Sequence, residues 1–147
     1  VVRANKIRRQ ALLDASIEVL AAKGARGLTF RAVDEQARVP SGTASNYFAN
    51  RDELLGQIAR SPISDSGSGH LALLELRLEA TRRPELQALI TARVRTELEN
   101  VAPGNDPNAI ITYLTLNGLT LDHLTLPGIF TMEQTANLMR AIVHMGT

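Results

Sequence analysis

The sequence predicts an all-α protein on three observations. Apolar residues recur at three- and four-residue spacing in one segment after another, the period of a helix with one buried face. No stretch alternates apolar and polar residues with the period of two that a half-buried strand needs. Gly, Pro and short polar residues fall between the periodic segments, where helices stop and start. The expected layout is an N-terminal three-helix module over residues 1–49 and a second helical domain over 50–147.

The elements follow in order. A first helix is expected over about Arg3–Lys23, with Leu12, Ala15, Ser16, Val19 and Leu20 on one stripe. Gly24 should stop it behind a cation, Lys23. Thr29 can cap a short helix to about Ala37, with Val33 and Ala37 inward. Pro40 and Ser41 break and restart the chain, and a helix is expected over about Ser41–Phe48. Asn50 with Glu53 forms a capping-box pattern that opens another helix. Residues 61–70, SPISDSGSGH, are Ser/Gly-rich and predict a linker. Helical period resumes at Leu71, Leu74 and Leu78, and again after Pro84 with Leu86, Leu89, Ile90, Val94, Leu98 and Val101. Pro103–Pro107 is a turn. Two further helices are expected, about 108–124 and 131–145, separated by Pro127-Gly128, with Thr131 and Gln134 forming a second capping box.

Composition excludes several classes. With 44% hydrophobic and 21% charged residues the chain is globular rather than disordered. There is no cysteine, which rules out disulfides, thiolate metal sites and thiol nucleophiles. No apolar run is long enough to span a membrane and no secretory signal opens the sequence, so a cytoplasmic protein without a membrane partner is expected. Residue 1 is Val rather than Met, so the sequence is expected to begin inside the encoded chain. Residues 1–60 hold ten basic and six acidic groups, net +4, whereas 61–147 hold six and nine, net −3. A basic front suits a polyanionic partner.

A long packing helix, a short helix, a tight turn and a second short helix make the layout of a helix-turn-helix module, whose second helix enters the DNA major groove. The recognition motif lies at about 29–48. The run Leu28-Thr29-Phe30-Arg31-Ala32-Val33, then Ala37-Arg38-Val39, Gly42-Thr43, Tyr47-Phe48, Arg51 and Leu54-Leu55 resembles the N-terminal domain of TetR-family transcriptional regulators. The likeness is close over about residues 7–58. Beyond residue 71 it extends only to helical character and a late pair of apolar helices.

Residue chemistry agrees with that resemblance. Gly42 and Thr43 are small enough for close approach to a duplex, and Thr43 offers a methyl to thymine and a hydroxyl to phosphate or base. Ser41, Ser45 and Asn46 share the element, and an Asn can pair with adenine. The resemblance implies that the Tyr47 hydroxyl reaches phosphate and that Phe48 packs inward. It places Arg51 at the family's usual lysine position, where a cation at a helix start can grip phosphate. Thr29 and Arg31 are candidates for the same task on the opposite strand. Two positions depart from the pattern: Arg38 stands where the family usually has Gly, and Asp34 where it favours a small apolar residue. Ser41 and Ser45 replace residues that are often Lys and Tyr.

For the rest, the resemblance implies a two-fold homodimer through the helices at about 108–124 and 131–145. It also implies a small-molecule effector that releases a palindromic operator, with His70, Arg77, Tyr113, Asn117 and His123 as candidate contacts. No cofactor or metal is implied. A helix over Arg51–Arg60 is only about 15 Å long, short for a rod coupling two domains. Chain is therefore expected to be missing near 61–70, with a genuine deletion as the alternative.

Two other classes fit less well. A small all-α enzyme lacks support: His70, His123 and His144 have no metal-ligand spacing, and there is no G-x-S-x-G, P-loop or GxGxxG. Glu75 and Glu79, one turn apart, are expected on a solvated face. A protein-interaction module is disfavoured by the basic front and the Gly-Thr start of the recognition element.

Overall fold

A computed structural model describes residues 2–145, and every regular element among them is helical. The order is α1 (Val2–Gly27), α2 (Phe30–Ala37), a 3-10 turn (Ala44–Asn46), α3 (Arg51–Arg60), α4 (Gly67–Ala80), α5 (Pro84–Val101), a second 3-10 turn (Pro103–Asn105), α6 (Pro107–Thr125) and α7 (Met132–Met145). The all-α expectation holds. The chain divides into two compact units, one ending at Arg93 and one beginning at Val94.

In the first unit α1 is the central post, and α2, α3 and α4 all pack against it. Its stripe works as the period requires: Leu12, Val19 and Leu20 are buried together with Leu28, Val33, Phe48, Leu54, Ile58 and Leu76. Ser16 is also buried, and its hydroxyl donates to the Leu12 carbonyl at 2.7 Å, so that hydroxyl is not stranded. Gly24 breaks the helix where expected, with φ 68 and ψ 179, and one more turn carries the chain to Gly27. The two N-caps form as well. The Thr29 hydroxyl accepts from Ala32 N–H at 3.1 Å, and Asn50 Oδ1 accepts from Glu53 N–H at 2.8 Å.

Two sequence expectations need correction. The segment Ser41–Phe48 is not a helix of eight residues; only Ala44–Asn46 is helical, and it is 3-10. A Pro40–Thr43 turn consumes the residues before it, and Phe48 is drawn into the core after it. The stretch 61–70 is not all linker. Ser66 caps α4 through Gly69 N–H at 3.2 Å, so residues 67–70 form that helix's first turn. The start of this connection is held by Arg93, whose Nη1 donates to the carbonyls of Ala59 at 3.2 Å and Ser61 at 2.8 Å.

In the second unit α6 and α7 pack on each other. The second capping box is complete: Gln134 N–H donates to Thr131 Oγ1 at 3.1 Å, and Thr131 N–H donates to Gln134 Oε1 at 2.9 Å. Ile142 is buried, but Ile111, Leu114, Leu121, Leu138, Met139 and Val143 remain exposed. The helices carry more apolar surface than this unit covers. Among the described residues no helix is long and apolar enough to cross a membrane.

Candidate nucleic-acid interface

The candidate interface is built on the chain from Thr29 to Arg51. α2 ends at Arg38, which takes the left-handed conformation at φ 55 while its N–H donates to the Glu35 carbonyl at 3.2 Å. That conformation turns the chain so that Val39 N–H reaches the Asp34 carbonyl at 3.0 Å. The next turn closes on Pro40, whose carbonyl accepts from Thr43 N–H at 3.1 Å and from its hydroxyl at 2.5 Å. Gly42 sits at φ 89 with open space beside it, a conformation that glycine adopts without steric cost.

Asp34 then fixes the segment that follows. Its side chain is 2% exposed, and its carboxylate accepts from Gly42 N–H through Oδ2 and from Ala44 N–H through Oδ1, each at 2.7 Å. The departure from the family's small apolar residue is thus a buried clamp. Arg9 holds the far end. Its Nη1 donates to the Tyr47 carbonyl at 2.9 Å, and its guanidinium carbon lies 4.9 Å from the centre of the buried Phe48 ring. Between these two holds Ser41, Gly42, Ser45 and Asn46 are exposed, with Thr43 and Tyr47 half-buried beside them. The Ser45 hydroxyl donates to the Gly42 carbonyl at 2.8 Å, which leaves its lone pairs facing out. Thr29 and Arg31 are exposed at the start of α2, and Arg31 pairs with Glu35 at 3.0 Å across solvent. Such a surface pair is weak.

Arg51 is placed differently from the other candidates. Its guanidinium turns inward, donating to the Ala25 carbonyl and lying 3.8 Å from Glu79. Ala25 N–H in turn donates to Glu75 Oε2 at 3.3 Å. Glu79 also accepts from Arg83 Nε at 2.7 Å, and Arg83 pairs with Asp52. Hydrogen bonding from Arg83, with the charges of Arg83, Arg51 and Arg82, holds the Glu79 carboxyl below the usual glutamate range against the opposing effect of burial. The same partner raises Arg83. Glu75 and Glu79 are therefore not a solvated face; they tie α4 to the end of α1 and the start of α3. The Arg51 guanidinium is thus engaged inside the first unit.

The candidate effector contacts are divided between the two units. In the first unit His70 packs at the start of α4, its Nδ1 3.0 Å from the Ser66 carbonyl, and Arg77 is exposed. In the second unit the Tyr113 hydroxyl donates to Glu97 at 3.0 Å, and Tyr113 lines a groove of about 320 Å³ with Val101, Ala109, Thr112 and Leu116. Asn117 and His123 do not line that groove. A larger open groove, about 1030 Å³, lies between α3 and the start of α5 and holds none of the candidates. No cluster among the described residues has the makings of a metal site.

Sequence reasoning missed Arg9, Asp34 and Glu79 as working parts. Asp34 alone left a signal, an acid on the otherwise apolar inner face of α2.

A buried three-helix core that presents one short, externally clamped segment defines a helix-turn-helix protein. Comparison with known proteins makes this specific. The family model for bacterial regulatory proteins of the TetR family matches residues 12–58, and that for the tetracyclin repressor-like C-terminal domain matches residues 51–145. The chain belongs to the TetR family. It is 32% identical over 89 residues to the HTH-type transcriptional regulator BetI of Burkholderia lata, an alignment covering 59% of this chain and 44% of that protein. The chain thus spans less than half the length of that curated relative. A Rhodococcus sp. structure assigned to TetR-family regulators shares the fold, with TM-score 0.68, 21% identity and coverage of 95% of this chain and 98% of that one. The crystal structure of the multidrug binding protein EbrR with proflavin is similar at TM-score 0.55 and 26% identity, covering 94% and 99% of the two chains.

Proposed function

We propose that this protein is a homodimeric, sequence-specific DNA-binding repressor whose hold on a palindromic operator is released by a small-molecule effector. The observation that carries the reading is the segment Ser41–Tyr47, clamped from behind by Asp34 and Arg9 with its short polar side chains turned outward. Asn46, Thr43 and Ser45 face base edges in a major groove, and Gly42 allows close approach. Tyr47, Thr29, Arg31 and the first N–H groups of α3 at Arg51 take phosphates on either side. The net +4 of residues 1–60 supplies the attraction.

One segment this short touches too few base pairs to be selective. Two copies about one helical turn apart, roughly 34–36 Å, double the readout. The exposed apolar residues of α6 and α7 supply the contact between copies. An effector that binds the wide-spaced dimer more tightly than the operator-bound one shifts the population off DNA. His70, Arg77, Tyr113, Asn117 and His123 remain the candidate contacts, Tyr113 having a groove beside it. The relative solved with proflavin supports a ligand of organic, aromatic-compatible kind.

Selection of duplexes from a random pool tests the reading directly. A two-fold symmetric consensus is expected, with affinity that falls steeply as salt rises. Thr43→Ala and Asn46→Ala should relax the consensus, whereas Tyr47→Phe should weaken binding to every sequence alike. Recovery of no consensus, or binding indifferent to salt, overturns it.

A further inference from the structure

We infer that Asp34 is the positioning residue that gives this protein its sequence discrimination, an inference that rests on the DNA-binding reading above. The reading element cannot hold its own shape. It contains a single 3-10 turn of three residues behind a glycine at φ 89, and an isolated turn of that length is not self-supporting. Its backbone order comes from outside, and the outside contact at its leading end is one carboxylate. Asp34 reaches Gly42 N–H and Ala44 N–H, eight and ten residues on, at 2.7 Å each. Ala44 is fully buried, so its N–H has no water to fall back on if the carboxylate is removed. The two bonds set the position of Thr43, held between them, and the direction in which Ser45 and Asn46 leave the turn.

Position matters unequally for the two kinds of DNA contact. Hydrogen bonds to base edges need their donors and acceptors in register, whereas a cation near a phosphate tolerates displacement. A loosened segment therefore loses discrimination and keeps its general attraction for duplex. Electrostatics alone points the other way for affinity, because removal of a negative charge from a basic module favours every polyanion. The clamp thus gives a pattern that neither unfolding nor charge produces: weaker binding to the selected duplex, with equal or tighter binding to a scrambled one.

The test uses the full chain, the duplex selected from a random pool by the wild type, and a scrambled duplex of equal length. Asp34→Ala should lower the ratio of the two affinities by at least about tenfold, equivalent to about 1.4 kcal/mol. Asp34→Asn, which keeps the shape and one acceptor, should fall between it and the wild type. Ile58→Val, a core change in α3, provides loss of stability without loss of the clamp and should leave the ratio unchanged. Amide exchange without DNA gives a second readout: Gly42 and Ala44 should be protected in the wild type and exposed in Asp34→Ala, with helical content retained. Unaltered discrimination in Asp34→Ala, or an equal loss in Ile58→Val, overturns the inference and leaves the repressor reading intact. A wild type that selects no sequence overturns both.

Discussion

The guanidinium of Arg9 donates to the backbone carbonyl of Tyr47 at 2.9 Å, across 38 residues of sequence. The same group lies over the Phe48 ring and 4.0 Å from Glu53. One side chain of α1 thus pins the end of the proposed reading segment, the aromatic that anchors it and the first turn of α3. Arg9→Ala should destabilise the protein by about 1–2 kcal/mol, the size of a charge-assisted hydrogen bond with a partly exposed cation–π contact. Arg9→Lys should recover little, because an ammonium cannot lie flat on the ring while donating in the plane of a carbonyl. A shift in urea midpoint at constant slope is the measurement.

Acid should dissolve the tie between α4 and the N-terminal module. The Glu79 carboxyl is held below its usual value near 4.5, first by the hydrogen bond from Arg83. A carboxylate with a lowered folded pKa stabilises the fold above its unfolded pKa, and that stability disappears as pH falls through the folded value. Glu79→Gln should therefore be less stable than the wild type at neutral pH, with the gap closing as pH drops below the usual glutamate range. Melting curves of both proteins from neutral pH into acid test this; parallel curves would remove Glu79 from the account.

Arg38 holds a left-handed conformation, which costs a residue with a Cβ roughly 1–2 kcal/mol relative to glycine. Arg38→Gly should raise stability by up to about 1 kcal/mol, after the entropy glycine gains in the unfolded chain is subtracted. Arg38→Val should lower it by more than about 1 kcal/mol, since a branched Cβ fits that conformation worst. Thermal unfolding distinguishes the two signs.

The proposed self-association through α6 and α7 makes a separate prediction. Leu114 is 60% exposed and Val143 64%, on helices with no packing duty at those positions in the described unit. Leu114→Glu with Val143→Glu should convert a dimer to a monomer in sedimentation while helical content is kept. Arg31→Glu, on the first unit, should leave the oligomeric state unchanged. An unaltered dimer in the double variant would move the contact elsewhere.

Much of this protein was legible in the residues because its signals are local. Helix period, the caps at Thr29, Asn50 and Thr131, and the stop at Gly24 all act within a few positions, and each forms as its sequence requires. The family resemblance was legible for a related reason: spaced small and aromatic residues such as Gly42, Thr43 and Phe48 answer to fixed backbone and packing needs.

What the tertiary structure decided are the contacts between distant positions. No local rule says that Asp34 faces inward to Gly42 and Ala44, that Arg9 reaches Tyr47, or that Arg51 turns inward to Ala25 and Glu79. Nor did period alone reveal that the helix expected over Ser41–Phe48 shrinks to three residues, because tertiary tethers at both ends outweigh helix propensity in so short a segment. Charged side chains are long and their partners are chosen by geometry; sequence specifies the charge, and only the fold decides where it is spent.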